Sequence, residues 1–185
     1  MKVKILKNSN EILEMQKFRY EIFGRQCGYL DETDCPDGID RDQFEDDSSH
    51  ICATTDNGEI VGCCRATFRG SYVELFFEFP PLDFPREDWF EINRFGISPA
   101  YRRDKQLRFL MYQTLAILGL EKKLPYCLVT VHHSFYQILK ADRCPINPIE
   151  NFTRKKYSGY YSKYPEQNQV YLIDCRIFCE RFSPD

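Results

Sequence analysis

Two arginines stand inside runs of apolar residues that otherwise have the character of buried β-strands. Arg65 lies within the run 62–67, and Arg94 lies within the run 89–95. An unpaired charge in a protein interior is very costly, so this chain can fold only if carboxylates reach both guanidinium groups. The segment 31–47 can supply them, because it holds nine acids against a single base.

Hydrophobic periodicity predicts that strands and helices alternate along the chain. The turn at Asp56-Asn57-Gly58, between two alternating runs, is a strong hairpin signal. The predicted elements are a strand over 3–5, a helix from Ser9 or Asn10 to Phe23, strands over 51–55, 60–67, 72–77 and 90–97, a helix over 106–123, a strand over 126–131, a helix over 135–141 and a strand over 170–178, with 147–169 unassigned. This order predicts one domain, residues 1–185, of the α/β class, with helices on both sides of a central mixed β-sheet.

Composition argues against several classes of function. A net charge of −3 gives no nucleic-acid signature, and no apolar run reaches the roughly 20 residues that span a membrane. The nine cysteines lack CxxC spacing and only three histidines accompany them, so we expect no metal site and free thiols in a reducing cytosol. Aromatic residues form 15% of the chain, which suits either a Phe-rich core or an apolar slot for a long ligand.

Spacing places several charged side chains on common faces. Arg19 and Phe23 are four residues apart on the first predicted helix, so they share a face. Asp40 and Asp42 point to one side if their segment is extended. In the strand over 90–97, Glu91 and Arg94 are predicted to face opposite ways.

These motifs, taken in order, resemble the N-terminal signature of the acyl-homoserine-lactone (autoinducer) synthases, a branch of the GNAT-type acyltransferases. The signature consists of Arg-x-x-x-Phe, an aromatic residue after glycine, acid-x-Asp-x-Phe-acid, Gly-x-x-Arg and Glu-x-x-Arg-Phe. The matching residues are Arg19, Phe23, Tyr29, Asp40, Asp42, Phe44, Glu45, Gly62, Arg65, Glu91, Arg94 and Phe95.

The chain also departs from this family. The family usually has Trp in place of Tyr29 and Ser in place of Asn93, and its Leu-Pro-Thr run after the second arginine is missing after Arg65. The run 98–103 is closer to the related N-acyl amino acid synthases. These departures bear on the acyl acceptor more than on the fold.

The resemblance implies a GNAT-like fold that moves a fatty-acyl group from an acyl carrier protein or CoA thioester to an amine. S-adenosylmethionine is the leading acceptor, and its later lactonisation would release an acyl-homoserine lactone, a quorum-sensing signal. Both are substrates, so no permanently bound cofactor is expected. The resemblance also implies that the network of arginines and acids, together with Phe23 and Tyr29, shapes the acceptor pocket.

An ammonium acceptor must lose a proton before its nitrogen attacks a thioester, and a carboxylate is the expected base. Glu91 is the first candidate and Asp42 the second, while an ion pair with Arg65 or Arg19 is the alternative role for Glu91. The family resemblance further implies a splayed strand whose backbone N–H groups face the thioester oxygen. That strand is placed around three residues, Phe95, Gly96 and Ile97.

The strand over 126–131 and the two residues after it hold two further candidate features. Thr130 either lines the acyl pocket, where its hydroxyl could bond a 3-substituent of the chain, or is an ordinary strand threonine. Cys127 with His132 and His133 could indicate Cys/His nucleophilic catalysis, but no third orienting residue is identifiable.

The stretch that follows Ser98-Pro99 is basic and lacks glycine, so its backbone cannot easily close on the two phosphates of CoA. Its bases predict a docking surface for an acidic acyl carrier protein, against the alternative of a solvated surface. The bases are Arg102, Arg103, Lys105 and Arg108, with Lys122–Lys123 and Arg154–Lys156 as possible extensions.

Two other functions remain open on the sequence. One is an N-acyl amino acid synthase, which would acylate a free amino acid such as tyrosine. The other is a catalytically silent module that binds an acyl carrier or signals on the same scaffold.

Overall fold

The computed structural model of the protein describes residues 1–158, 163 and 168–182. Within them the strands are β1 (Lys2–Ile5), β2 (Ser48–Thr54), β3 (Ile60–Thr67), β4 (Phe77–Glu78), β5 (Trp89–Ile97), β6 (Tyr126–Val131), β7 (Ile146–Pro148), β8 (Thr153–Arg154) and β9 (Gln169–Asp174). The α-helices are α1 (Ser9–Arg19), α2 (Tyr72–Phe76), α3 (Lys105–Glu121), α4 (His133–Ala141) and α5 (Cys175–Phe182). A π-helical turn, Tyr20–Gln26, continues α1, and 3₁₀ turns lie at Arg86–Asp88 and Pro99–Tyr101.

Among the described residues, seven strands form one mixed sheet in the order β1-β2-β3-β5-β6-β9-β7. Neighbouring strands are antiparallel except β5 and β6, which run parallel. Helix α3 lies in the connection between these two strands, as the crossover of a parallel pair requires. β4 and β8 form a separate two-stranded sheet.

Helices cover both faces of the large sheet. On the α3 face, Met111 of α3 and Phe178 of α5 pack into one core cluster with the strands. On the opposite α2 face, Met15 of α1 and Phe76 of α2 belong to a second cluster. The predicted α/β class, with a central mixed sheet between helical layers, is confirmed.

The run 72–77, predicted as a strand, is instead helix α2 followed by the first residue of β4. Ser71 caps this helix, because its Oγ accepts the backbone N–H of Glu74 and donates to the Glu74 carboxylate, both at 3.0 Å. Ser-x-x-Glu is a capping box, a local signal that outweighs the apparent alternation. The helix places Tyr72, its first residue, next to Glu91 and Asp42.

Two other predicted boundaries are also wrong. The closing strand ends at Asp174 rather than running to residue 178, because the Asp174 carboxylate accepts the backbone N–H of Arg176 at 2.9 Å and α5 begins. The first helix is capped by Asn8, whose side chain accepts the N–H of Asn10 at 2.8 Å, rather than by Ser9 or Asn10.

A bulge in β5 reorients Arg94. Cys63 pairs with Gly96 while Arg65 pairs with Asn93, so β5 holds one extra residue against β3. Arg94 adopts a left-handed backbone with φ of 53° at this point. Its side chain therefore lies on the α2 face, the same face as Glu91, and the predicted opposite orientation is wrong.

The π-helical turn packs closely on β5 at Gly96. A Cβ atom at Gly96 would lie 3.1 Å from Ile22 Cγ2 and 3.1 Å from Phe23 Cζ, tighter than ordinary packing. Glycine therefore lets the turn approach the strand and brings the Phe23 ring to the opening in the sheet.

All nine cysteines are free, and seven of them are buried. In the part of the chain that the structure describes, no three His, Cys, Asp or Glu side chains gather as a metal ion would require. No helix in that part is long and apolar enough to cross a membrane.

Candidate active site

A cavity of about 320 Å³ passes through the sheet where β5 and β6 separate. The parallel pairing of these strands ends at Ile92 and Val129, although both strands continue beyond it. Apolar atoms make up most of the wall surface, although about half of the lining residues carry a polar group. The lining residues that matter for the chemistry are Phe23, Tyr29, Tyr72, Glu91, Arg94, Phe95, Gly96, Ile97, Thr130 and Asn168.

Glu91 is a buried carboxyl on the wall of this cavity, with 1% of its surface exposed. Its Oε2 accepts the backbone N–H of Tyr72 at 2.8 Å and the side-chain amide of Asn93 at 3.1 Å. Burial raises the pKa of Glu91 to about 7, against the lowering effect of these two hydrogen bonds and of Arg65 and Arg94. No direct ion pair of Glu91 occurs among the described residues, so it is a carboxyl that can exchange a proton near neutral pH.

Next to the cavity, three buried arginines, of which Arg94 lines it, meet three carboxylates. Arg19 Nε lies 3.1 Å from Asp40 Oδ2, and Arg94 Nε donates to the same oxygen at 2.8 Å. Burial alone would raise the pKa of Asp40, but Arg19 and Arg94 outweigh it and lower the pKa to about 2. Asp40 is therefore an anion at neutral pH, and two guanidinium groups share its charge.

Arg65 completes the network on the β3 side. Its two terminal nitrogens donate to Asp42 Oδ1 and Oδ2, both at 2.7 Å, and Nη1 also donates to Glu45 Oε1 at 2.5 Å. Its Nε donates to Asn93 Oδ1 at 2.7 Å. Glu45 in turn accepts Arg19 Nη2 at 2.6 Å, so the three acids and three arginines balance in charge.

Asp42 is poorly suited to act as a base. Besides Arg65, its carboxylate accepts the Tyr72 hydroxyl at 2.8 Å, Arg94 Nη2 at 3.3 Å and the Phe44 backbone N–H at 2.9 Å. Burial would raise its pKa, but Arg65 and the other donors hold it well below the usual range. Asp42 also does not line the cavity, whereas Glu91 does.

Tyr72 and Asn93 connect the network to the cavity, and sequence reasoning gave neither a role in the site. The backbone N–H of Tyr72 donates a hydrogen bond to Glu91, and its hydroxyl donates one to Asp42. Asn93 accepts from Arg65 and donates to Glu91. The Ser-x-x-Glu capping box at the start of α2 is the sequence signal that could have identified the position of Tyr72. For Asn93 the only signal in the sequence is its departure from the family pattern.

Backbone N–H groups of β5 face the opening. The N–H of Ser98 donates to the Val61 carbonyl of β3 at 2.9 Å. Successive N–H groups of an extended strand point to opposite edges, so the N–H groups of Ile97 and Phe95 point towards β6. Pairing with β6 has already ended there, which leaves these donors beside the cavity.

The predicted site residues thus fall into two groups, those on the cavity wall and those behind it. The wall holds Phe23, Tyr29, Glu91, Arg94, Phe95, Gly96, Ile97 and Thr130. The others, Arg19, Asp40, Asp42, Glu45 and Arg65, lie behind the wall and hold it in place.

The predicted basic surface is smaller than expected. Arg103 and Lys105 are exposed, and Arg102 lies at the cavity mouth, where its Nε donates to the Ile97 carbonyl at 3.1 Å. Arg108 is not part of this surface, because its guanidinium is buried and donates two hydrogen bonds to the Asp142 carboxylate, at 2.7 and 2.9 Å. Its assignment to a surface patch is therefore wrong.

The two possible extensions of this surface lie elsewhere. Lys122 follows the far end of the 17-residue helix α3, roughly 25 Å from Lys105 at 1.5 Å per residue. Arg154 lies over the Phe76 ring at 4.9 Å, and Lys155 Nζ donates to the Glu74 carbonyl.

The Cys/His arrangement is not assembled. Cys127 is fully buried, and burial raises the pKa of its thiol well above the ordinary value. His132 follows the opposite end of β6 and caps α4 through its contact with Ser134. The imidazole of His132, at the other end of the strand, cannot activate this buried neutral thiol.

Sequence and structural comparisons place these features among known proteins. The family model for the acetyltransferase (GNAT) domain matches residues 18–112. No curated protein sequence matches this chain.

Several solved structures share the fold. The CoA-dependent acyl-homoserine lactone synthase MesI superposes with a TM-score of 0.67 at 16% identity, over 100% of this chain and 96% of that one. The AHL synthase LasI gives 0.66 at 14% identity, over 94% and 89%. The CoA-dependent acyl-homoserine lactone synthase BjaI, solved with SAM and isopentyl-CoA, gives 0.65 at 14% identity, over 94% and 82%.

Proposed function

The chain belongs to the GNAT acetyltransferase family, and we propose that it moves a fatty-acyl group from a thioester to the amine of S-adenosylmethionine, which then cyclises to release an acyl-homoserine lactone. The observation that carries this proposal is Glu91, a buried carboxyl with a pKa of about 7 on the wall of a cavity between diverging strands. Both substrates and the reaction would be cytosolic, in a single domain with no resident cofactor.

In the proposed reaction Glu91 removes a proton from the acceptor ammonium, directly or through a water. The freed amine attacks the thioester carbonyl, and the N–H groups of Phe95 and Ile97 stabilise the oxyanion that forms. The attack forms the bond between nitrogen and the carbonyl carbon. Collapse of this intermediate then breaks the carbon–sulfur bond of the donor, and the departing thiolate takes the second proton from the nitrogen, which leaves the amide. In the later cyclisation the carboxylate of the acceptor attacks the carbon next to its sulfonium and releases methylthioadenosine. A base whose pKa lies near 7 suits proton transfer at neutral pH.

The part of the α2 face beside β5 fits an acceptor with a sulfonium cation and an apolar body. Phe23, Tyr29 and Tyr72 present aromatic rings on this side, and such rings attract a sulfonium cation through their faces. The network behind them is charge-balanced and rigidly bonded, so it holds the pocket shape without adding a net charge. That BjaI was solved with SAM and isopentyl-CoA supports the idea that this fold accommodates both substrates.

For the donor we propose an acyl carrier protein rather than CoA. The N-terminus of α3 is already capped by Asp104, whose carboxylate accepts the Leu107 N–H at 2.9 Å. An anion at this position disfavours a pyrophosphate, which would otherwise use the same helix terminus. Arg103 and Lys105 beside it are exposed and suited to steering an acidic carrier.

The double variant Arg103→Glu/Lys105→Glu is expected to raise KM for acyl carrier protein about 10-fold at low salt while kcat changes little, because rim charges act mainly on association. The effect should shrink as salt is raised. Arg102 is left intact in this test because it bonds the Ile97 carbonyl. Steady-state kinetics with carrier protein and CoA donors of equal chain length make the measurement.

The matched control is Lys122→Glu/Lys123→Glu, which makes the same charge change at the other end of α3. It should leave KM for the carrier protein unchanged. A preference for acyl-CoA, with no response of KM to charge reversal or salt, would rule out the docking surface.

The function itself is tested on lipid extracts of cells that express the protein. Mass spectrometry is expected to detect acyl-homoserine lactones that are absent from cells expressing Glu91→Gln. Acyl amino acids in place of lactones would identify an N-acyl amino acid synthase. An extract with no new acylated product would favour the catalytically silent module.

A further inference from the structure

Asn168 is a buried polar residue in the cavity that the proposed mechanism does not use. It lies immediately before β9, has 5% of its surface exposed and lines the cavity. Its Oδ1 is buried and has no hydrogen-bond partner among the residues that the structure describes. A buried amide left unpaired is destabilising, so a group of this kind on a cavity wall is a candidate for ligand recognition.

The strand register shows where this amide points. Thr130 of β6 pairs directly with Val170 of β9, so their side chains lie on the same face of the sheet. Asn168 precedes Val170 by two residues and therefore shares that face. Val170 belongs to the core cluster of the α2 face, so Asn168 is on the α2 side of the opening, one step beyond Thr130.

The distance from the reacting atoms is set by the strand order. The proposed thioester site is on β5, and β9 lies two strands away across β6, which is at least about 10 Å at about 4.8 Å per paired strand, because β5 and β6 separate at this point. Thr130, on β6, is nearer to the carbons next to the thioester. Asn168 instead reaches a part of the acyl chain farther from the carbonyl.

We propose that Asn168 is a specificity-determining residue that binds a hydroxyl group on the acyl chain, remote from the thioester. The unpaired Oδ1 is an acceptor, so it can take the hydrogen bond that a hydroxyl donates. Phe76, on the same face of the sheet, also lines the cavity, and an unsubstituted acyl chain has no polar group that could pair with the Asn168 oxygen. The inference rests on the proposed function, in which this cavity holds the acyl chain.

The test compares eight-carbon donors on one carrier: octanoyl, 3-hydroxyoctanoyl and 7-hydroxyoctanoyl. The wild type is expected to favour the 7-hydroxy donor over octanoyl by about 10-fold in kcat/KM, since one buried hydrogen bond is at stake. Asn168→Leu keeps the approximate volume but cannot bond, so this ratio should fall to about 1. The exposed neighbour provides the control, and Gln169→Ala should retain the wild-type ratio.

A second readout needs no turnover. Calorimetry without acceptor measures binding of octanoyl-pantetheine and 7-hydroxyoctanoyl-pantetheine, and the same 10-fold preference and its loss in Asn168→Leu are expected. Equal binding of the two probes by the wild type, or equal weakening of both in Asn168→Leu, overturns the proposal. If the protein prefers the hydroxylated probe but transfers no acyl group, the role of Asn168 is supported and the proposed function is contradicted. If it transfers acyl groups but binds both probes equally, the proposed function is supported and the role of Asn168 is contradicted.

Discussion

Glu91→Gln is expected to leave a folded protein whose turnover is lower by about 10²–10⁴-fold, the usual contribution of a positioned base. The glutamine retains an oxygen that can accept the N–H of Tyr72 and the amide of Asn93, so the local hydrogen bonds survive. It cannot take the proton of the ammonium acceptor. The measurement is kcat at saturating donor and acceptor, with a melting curve to verify folding.

The pH dependence separates this role from a structural one. Burial raises the pKa of Glu91 to about 7, so wild-type kcat/KM should fall as the pH drops below 7 and the base becomes protonated. The folded protein keeps this proton up to about pH 7, whereas the unfolded chain loses it near the ordinary value of 4.5. The stability that Glu91 contributes is therefore complete below pH 4.5 and is lost as the pH rises through 7.

Glu91→Gln has no charge to bury, so it should match the wild type in stability near pH 4.5 and exceed it above pH 7. Full activity in Glu91→Gln, or a pH profile without an inflection near 7, would remove Glu91 as the base. Asp42→Asn is the informative comparison, because Asp42 is held as an anion by Arg65. That variant should lose stability at neutral pH, where Glu91→Gln does not.

Arg65→Ala is expected to lower the free energy of unfolding by about 3–5 kcal/mol, because it breaks a buried network by removing one partner. Arg65 is fully buried and holds Asp42 and Glu45 together with Asn93. Its loss leaves two carboxylates with too few cations and releases the residue that orients Asn93 towards Glu91. Chemical unfolding at neutral pH measures the stability, and the same preparation should be nearly inactive.

The matched control is Arg25→Ala, which removes an exposed arginine that pairs with Glu21 within one helical turn. A surface pair of this kind contributes less than about 1 kcal/mol. The difference between wild type and Arg65→Ala should begin to narrow below about pH 4, where carboxylates of the unfolded chain take up protons, and should disappear as the pH falls to about 2 and below, where the buried carboxylates of the folded wild type do so. Wild-type stability and activity in Arg65→Ala would contradict the buried network.

The order of most elements and the need for an arginine–carboxylate network can be predicted from the amino-acid sequence. Both are local or compositional: periodicity identifies strands and helices, and arginines within apolar runs require acids from somewhere in the chain. The acidic segment was the obvious source, and the structure brings Asp40, Asp42 and Glu45 to those arginines. The position of Glu91 in a predicted strand and in the Glu-x-x-Arg-Phe motif likewise makes it a candidate base from the sequence.

Which carboxylate can take a proton, and which side chains reach the cavity, depends on contacts between segments that are distant in sequence. Asp42 and Glu91 are both buried acids, but their pKa values move in opposite directions because distant segments give Asp42 two arginines in contact and give Glu91 only neutral donors. The bulge that turns Arg94 to the α2 face depends on the register of β5 against β3. The pairing of Arg108 with Asp142 likewise joins elements far apart in sequence. No local pattern encodes these contacts, because each depends on where another segment packs in three dimensions.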